Sequence, residues 1–93
     1  MFESAIGAFI VNEAFVHRFE VYYWRNWNDE VDFIIKKNQK IVAIEVKSNS
    51  ETSTSGLERF RTMYKPTAAF VVGENGINPE TFLGMDLNIL FEY

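Results

Sequence analysis

Residues 30–48 read EVDFIIKKNQKIVAIEVKS, two apolar runs on either side of a short polar KKNQK. Each run is rich in Val, Ile and Phe and has the length of a strand. The polar break has the length of a tight turn, so the stretch predicts a β-hairpin with strands over 30–36 and 40–48. The hairpin carries an anomaly. Strands of this kind keep charge at their ends, yet Asp32, Glu45 and Lys47 lie inside them. A turn centred on Asn38-Gln39 sets Lys37 against Lys40. Continued along both arms, it sets Asp32 opposite Glu45 and Glu30 opposite Lys47. Alternation then puts Asp32, Glu45 and Lys47 on one face. A three-residue loop would shift every pairing by one, so this register rests on the turn.

Like charges directly opposite across a sheet destabilise it. Two carboxylates about 4–6 Å apart push one pKa up unless a cation satisfies both. An oxygen-rich cluster suits Mg²⁺ or Mn²⁺ rather than zinc, and such an ion activates water and neutralises phosphate charge. Lys47 follows Glu45 by two residues and so lies about 7 Å along the same face. From there it can orient a water or stabilise charge that develops on a phosphate. The plainer alternative is a solvated salt-bridge cluster on a wet sheet face, since ion-pair networks perturb pKa values without catalysis.

Outward from the hairpin, residues 1–18 predict a helix, with Phe2, Ile6, Phe9, Ile10 and Val16 toward the core. Gly7 sits in its middle, where it costs about 1 kcal/mol relative to Ala. A close backbone approach would account for it, and Glu3, one turn earlier, then lies beside a packing face. EVYYWRN (20–26) predicts a strand, WND (27–29) a turn, and SNSETSTSG (48–56) a polar loop. LERFRTMY (57–64) places Leu57, Phe60 and Tyr64 on one helical face and ends before Pro66. AAFVVG (68–73) suits a strand covered on both faces. Asn78-Pro79 caps and opens a short helix through Leu83. LNILFEY (87–93) predicts a last strand. The order is helix, three strands, helix, strand, short helix, strand, which is an α/β sandwich with a mixed sheet.

The chain has 93 residues, which sets one domain as the default. Hydrophobic residues make up 47%, enough to drive a core and exclude a disordered chain. The absence of cysteine excludes disulfides and thiolate metal sites and fits a reducing cytoplasm. No apolar run approaches the ~18 residues of a membrane span. Residues 1–16 are interrupted by Glu3, Asn12 and Glu13 and lack a basic leader, so no signal peptide is predicted. The helical pattern begins at Met1 without a cap residue, as in a piece cut from a longer protein. A net charge of −4 argues against a broad non-specific nucleic-acid surface, though not against a small one.

Taken together, these stretches resemble a known pattern. EVD followed by EVKS resembles the motif of the PD-(D/E)xK nuclease superfamily, whose restriction-endonuclease-like fold has the helix, antiparallel three-strand meander, helix and strand read above. More narrowly, FESAIGAF, YYWRN, NDEVDFII, VAIEVKS and INPETFL resemble the C-terminal domain found behind AAA+ ATPase modules in many bacterial and archaeal predicted ATPases. The resemblance covers nearly the whole chain. It implies a single nuclease-like domain over 1–93, the C-terminal part of an ATPase-containing protein whose P-loop lies elsewhere. It implies that Asp32 and Glu45 bind Mg²⁺ or Mn²⁺, that Val46 offers its backbone carbonyl, that Glu3 assists from the first helix, and that Lys47 is the motif lysine. Val31 stands where the superfamily often has Pro. The implied activity is metal-dependent phosphodiester hydrolysis on DNA or RNA. The alternative is a catalytically silent module that serves oligomerisation, partner binding or regulation of the ATPase. The implied partners are nucleic acid, the ATPase module and further copies of the chain, with no membrane.

Several other residues are candidates with simpler explanations. Arg25, Arg59, Arg61, Lys36, Lys37 and Lys40 could meet a phosphate backbone, but such residues more often solvate a face or a hairpin tip. Tyr22, Tyr23, Trp24 and Trp27 could stack bases, but packing is the commoner role. Glu13 and Glu20 read as solubilising charges at element ends. Ser48 has no sign of activation. His17, the sole histidine, reads as a surface residue with no partner in view.

Overall fold

The hairpin turn forms with the register that its sequence implies. The structure, a computed structural model, describes residues 2–26, 29–47, 55–73 and 76–92; the side chains of residues 2–4 and 55 also lie outside the description. Strand β2 (Asp29–Lys37) pairs antiparallel with β3 (Lys40–Val46), with Lys37 opposite Lys40 and Phe33 opposite Ile44. Asn38 turns the chain at φ 59°, a left-handed conformation that Asn tolerates better than most residues. Strand β1 (Glu20–Asn26) adds antiparallel to β2, and β4 (Ala68–Val72) adds parallel to β3. The sheet is therefore mixed, in the order β1-β2-β3-β4.

Helices cover both faces. Helix α1 (Phe2–His17) buries Ile6 and Ile10 against Ile35, Val42, Ile44, Val46 and Val72. It ends where Arg18 turns left-handed at φ 61° and the Phe19 amide reaches back to the Ala14 carbonyl, a closure that satisfies the orphan carbonyls of a last turn. Gly7 has the close neighbour its position demanded. A Cβ there would lie 3.2 Å from Cζ of Phe33, so the helix rests on that ring. Helix α2 (Ser55–Tyr64) covers the other face, where Leu57 and Phe60 pack on Val31, Ile34 and Ala43. At Gly56 a Cβ would come within 2.3 Å of the Glu30 carbonyl oxygen, so only glycine lets α2 start this close to β2. Helix α3 (Pro79–Leu83) is capped by Asn78, whose side chain accepts from the Glu80 and Thr81 amides.

Three expectations need correction. The segment after residue 86 is a 3₁₀ helix, Leu87–Glu92, and not a strand. Leu87, Leu90 and Phe91 are its buried residues, and their spacing is helical. Asp86 also accepts from the Asn88 amide, a local bond that favours a turn over a strand. Val16 is 58% exposed, because the buried stripe of α1 runs through Ile6 and Ile10 and leaves Val16 on the outer side. Strand β4 is covered less than expected: Val72 is buried, but Ala68 to Val71 are half-buried, since β4 is an edge strand. Phe2, Trp27 and the loop residues 48–54 lie outside what is described. Among the described residues, no helix is long and apolar enough to cross a membrane.

Candidate active site

A bulge and a fork shape the hairpin where its charges sit. Between β1 and β2 the pairing passes from Tyr22 opposite Ile34 to Trp24 opposite Val31. Tyr23 alone thus stands against two residues, Asp32 and Phe33, so the extra residue of this β-bulge lies on β2. The consequence is visible in the packing. Val31 and Ile34 are three apart yet join the same cluster under α2, which strict alternation forbids. Bulges recur beside active sites because they re-aim a side chain.

On the other side of β2 the ladder to β3 ends at Phe33–Ile44. Beyond it, the Val46 amide donates to Asp32 Oδ2 at 2.8 Å, and the Asp32 amide donates to Glu45 Oε1 at 3.3 Å. Side-chain oxygens have replaced backbone carbonyls as the cross-strand acceptors. The ladder thus stops before the expected Asp32–Glu45 and Glu30–Lys47 pairs. Glu30 pairs with Arg25 on β1 and accepts from the Tyr23 hydroxyl, while the Lys47 amide donates to Val72 on the β4 side.

The three charges meet. Lys47 Nζ lies 3.5 Å from Glu45 Oε2. Glu45 is 5% exposed and is the one charged side chain among the described residues that is buried. Its carboxyl is pushed up to about 7, first by burial, then by a hydrogen bond to the Asp32 side chain and by Asp32's charge; Lys47 opposes the shift. A carboxyl so placed holds a proton near neutrality or gives it up to a cation. The donors around this point are carboxylate oxygens with no sulfur or imidazole, a set that fits Mg²⁺ or Mn²⁺.

Glu3 lies on the first turn of α1, with its side chain outside the description. It precedes by one helical turn Gly7, the residue on which Phe33 packs, and Phe33 follows Asp32 in the bulge. Val46 meets the pair through its N–H. Arg59 binds Asp29 at 2.8 Å and so fastens α2 to β2, whereas Arg25 and Arg61 are exposed. Lys37 and Lys40 do more than solvate the turn. Their ammonium groups donate to Asn88 Oδ1 (2.8 Å) and to the Phe91 carbonyl (2.9 Å), which ties the 3₁₀ helix to the hairpin tip. Lys36 lines an apolar groove of about 230 Å³ with Tyr22, Tyr23, Trp24, Phe60 and Tyr64. Trp24 packs edge-on against Phe60 with ring centres 5.3 Å apart, so it serves the α2 interface. Glu20 accepts from the Tyr22 hydroxyl. Ser48 lies outside the described residues. Glu13 and His17 are not the plain surface residues their positions suggested: Glu13 accepts from the Leu87 amide, and His17 stands between Glu13 and Asp86. Sequence reasoning missed the bulge and Asp86. Nothing in the pattern of EVDFII marks an extra residue, since the bulge shows only against β1.

Fold and site together define an α/β domain in which a buried glutamate meets a half-buried aspartate and a lysine where the hairpin ladder ends. Residues 1–84 match the family model described as Domain of unknown function (DUF4143), and the chain belongs to that family. No curated protein and no solved structure matches the chain.

Proposed function

We propose that this chain is a divalent-metal-dependent phosphodiesterase domain of the PD-(D/E)xK type, acting on DNA or RNA and joined to an AAA+ ATPase in a cytoplasmic protein. The observation that carries the proposal is the state of Glu45: buried, beside Asp32, with its carboxyl held near neutrality and Lys47 at its far oxygen. A structural salt bridge has no use for a second carboxylate in that position, whereas a cation satisfies both.

Asp32 and Glu45 would hold Mg²⁺ or Mn²⁺, with the Val46 carbonyl and Glu3 completing the ligand set. Bound there, the ion supplies a Lewis acid and a water of lowered pKa. The Val46 N–H fixes the Asp32 carboxylate through Oδ2. Lys47 sits close enough to Glu45 to position a water or to stabilise charge on the attacked phosphate. The test is cleavage of single- and double-stranded DNA and RNA with Mg²⁺ or Mn²⁺, comparing the native chain with Lys47→Ala. Cutting by the native chain alone supports the reading; equal trace cutting by both sinks it.

A second reading has its own observation. Helix α1 exposes Val11, Phe15 (85%) and Val16 on its outer side, an apolar surface that a freestanding enzyme does not require. A catalytically silent module that docks the ATPase or another copy would use that surface. It predicts no cleavage and no change in Tm at millimolar Mn²⁺, whereas a bound metal raises Tm by mass action.

A further inference from the structure

A separate cluster joins the end of α1 to the chain that follows α3. Glu13 and His17 lie one turn apart on α1, and Asp86 reaches them from the start of the 3₁₀ helix. His17 Nε2 is 3.5 Å from Glu13 Oε1 and 3.4 Å from Asp86 Oδ1, and the three ligand atoms lie within 4.8 Å of one another. These distances exceed the ~2.7–3.2 Å of a good N–H···O bond. They equal the edge of a tetrahedron, about 3.4 Å, whose centre lies ~2.0–2.1 Å from nitrogen and oxygen ligands. Both carboxylates are aimed by backbone amides, Glu13 Oε1 by that of Leu87 at 3.1 Å and Asp86 Oδ1 by that of Asn88 at 2.9 Å.

We propose that Glu13, His17 and Asp86 form a second metal site, which takes a divalent transition ion of the zinc type and clips the C-terminal 3₁₀ helix to α1. One imidazole with two carboxylates suits zinc better than magnesium, in contrast to the all-oxygen set at Asp32 and Glu45. Asp86 is 57% exposed, so the ion has a path in and water can occupy the fourth position.

Asn88 sets the affinity. Its amide lies 3.0 Å from His17 Nδ1, and its oxygen accepts from Lys37. With the amide nitrogen toward Nδ1, the ring proton resides on Nε2, the position the ion needs. Metal binding therefore requires the Asn88 amide to turn so that its oxygen faces an Nδ1 proton. An aspartate at this position would accept from both His17 and Lys37 and remove that conflict, in the manner of a carboxylate–histidine–metal triad.

The experiment is calorimetric titration of the full chain with ZnCl₂. The site predicts saturable 1:1 binding that survives in Asp32→Asn/Glu45→Gln, a variant that lacks the proposed nuclease centre. Binding weakens tenfold or more in His17→Ala and in Asp86→Asn, and the latter alters an exposed side chain that should not compromise folding. Asn88→Asp tightens binding at least several-fold. Absence of saturable binding, equal affinity in Asp86→Asn and the native chain, or loss of the site in Asp32→Asn/Glu45→Gln overturns the proposal. Weaker binding by Asn88→Asp overturns the role given to Asn88. None of these outcomes depends on nuclease activity, so the two sites stand or fall separately.

Discussion

Asp32–Glu45–Lys47 and Glu13–His17–Asp86 are both clusters of two carboxylates and one basic side chain, but they are built in opposite ways. The first lies inside one hairpin, with Glu45 buried and Asp32 and Lys47 half-buried beside it. The second joins residues from opposite ends of the chain and stays partly exposed. Burial separates their chemistry. At Glu45 it favours the proton, or a cation in its place. At Asp86, open to water, the charge is already hydrated and costs little. A short-range cluster can thus be deeply buried because the sheet fixes it, while a long-range one depends on the packing of the chain terminus.

The largest effect that tests this contrast is on activity. If the hairpin cluster cuts phosphodiesters, Lys47→Ala should lower the rate about 10²-fold or more, as loss of a charge-stabilising group does elsewhere. His17→Ala should leave the rate unchanged. Rates measured side by side decide this, and equal losses would erase the distinction between the clusters.

Stability against pH comes next. Glu45 has its folded pKa raised from 4.5 to about 7. Between those values the unfolded chain gives up the proton first, so it binds fewer protons than the folded chain and stability falls as pH rises. The loss is complete above the folded pKa. Glu45→Gln, which stays neutral, should therefore be more stable than the native chain at pH 8 by about 1–3 kcal/mol, with the gap closing toward pH 4.5. Denaturant unfolding at the two pH values measures it; a gap that is the same at both would show that Glu45 ionises normally.

Asp32 separates charge from hydrogen bonding. Asp32→Ala leaves the Val46 N–H without its acceptor and should cost about 1–3 kcal/mol. Asp32→Asn keeps an acceptor and removes the repulsion, so it should fall within about 1 kcal/mol of the native chain or above it. Equal destabilisation by the two would place the role of Asp32 in its charge. The smallest effect belongs to the exposed cluster. Without metal, His17→Ala should cost no more than about 1 kcal/mol, because its contacts to Glu13 and Asp86 are long and its ring is partly solvated.

Much of the fold was legible because the hairpin has a symmetric centre. Once Asn38-Gln39 was read as the turn, Phe33 had to face Ile44; beyond that pair the backbone ladder stops, and Asp32 and Glu45 meet through their side chains instead. The Asn78-Pro79 helix start and the close neighbour of Gly7 were equally local inferences. The bulge at Asp32–Phe33 was not legible, since it is a mismatch in length between two strands and no residue announces it. The last segment was misread because LNILFEY is apolar enough for a strand; only the spacing of Leu87, Leu90 and Phe91 points to a helix. His17 looked isolated because Asp86 and Asn88 reach it through the packing of that same segment.

The central claim is that Asp32 and Glu45 hold a proton that a divalent cation can replace. Carbon-13 NMR of the Glu45 side-chain carboxyl, titrated with and without saturating Mg²⁺, tests it directly. The account predicts a midpoint near 7 without the ion and, with Mg²⁺, a carboxylate that stays ionised well below that pH. A midpoint that does not move when Mg²⁺ is added would contradict it.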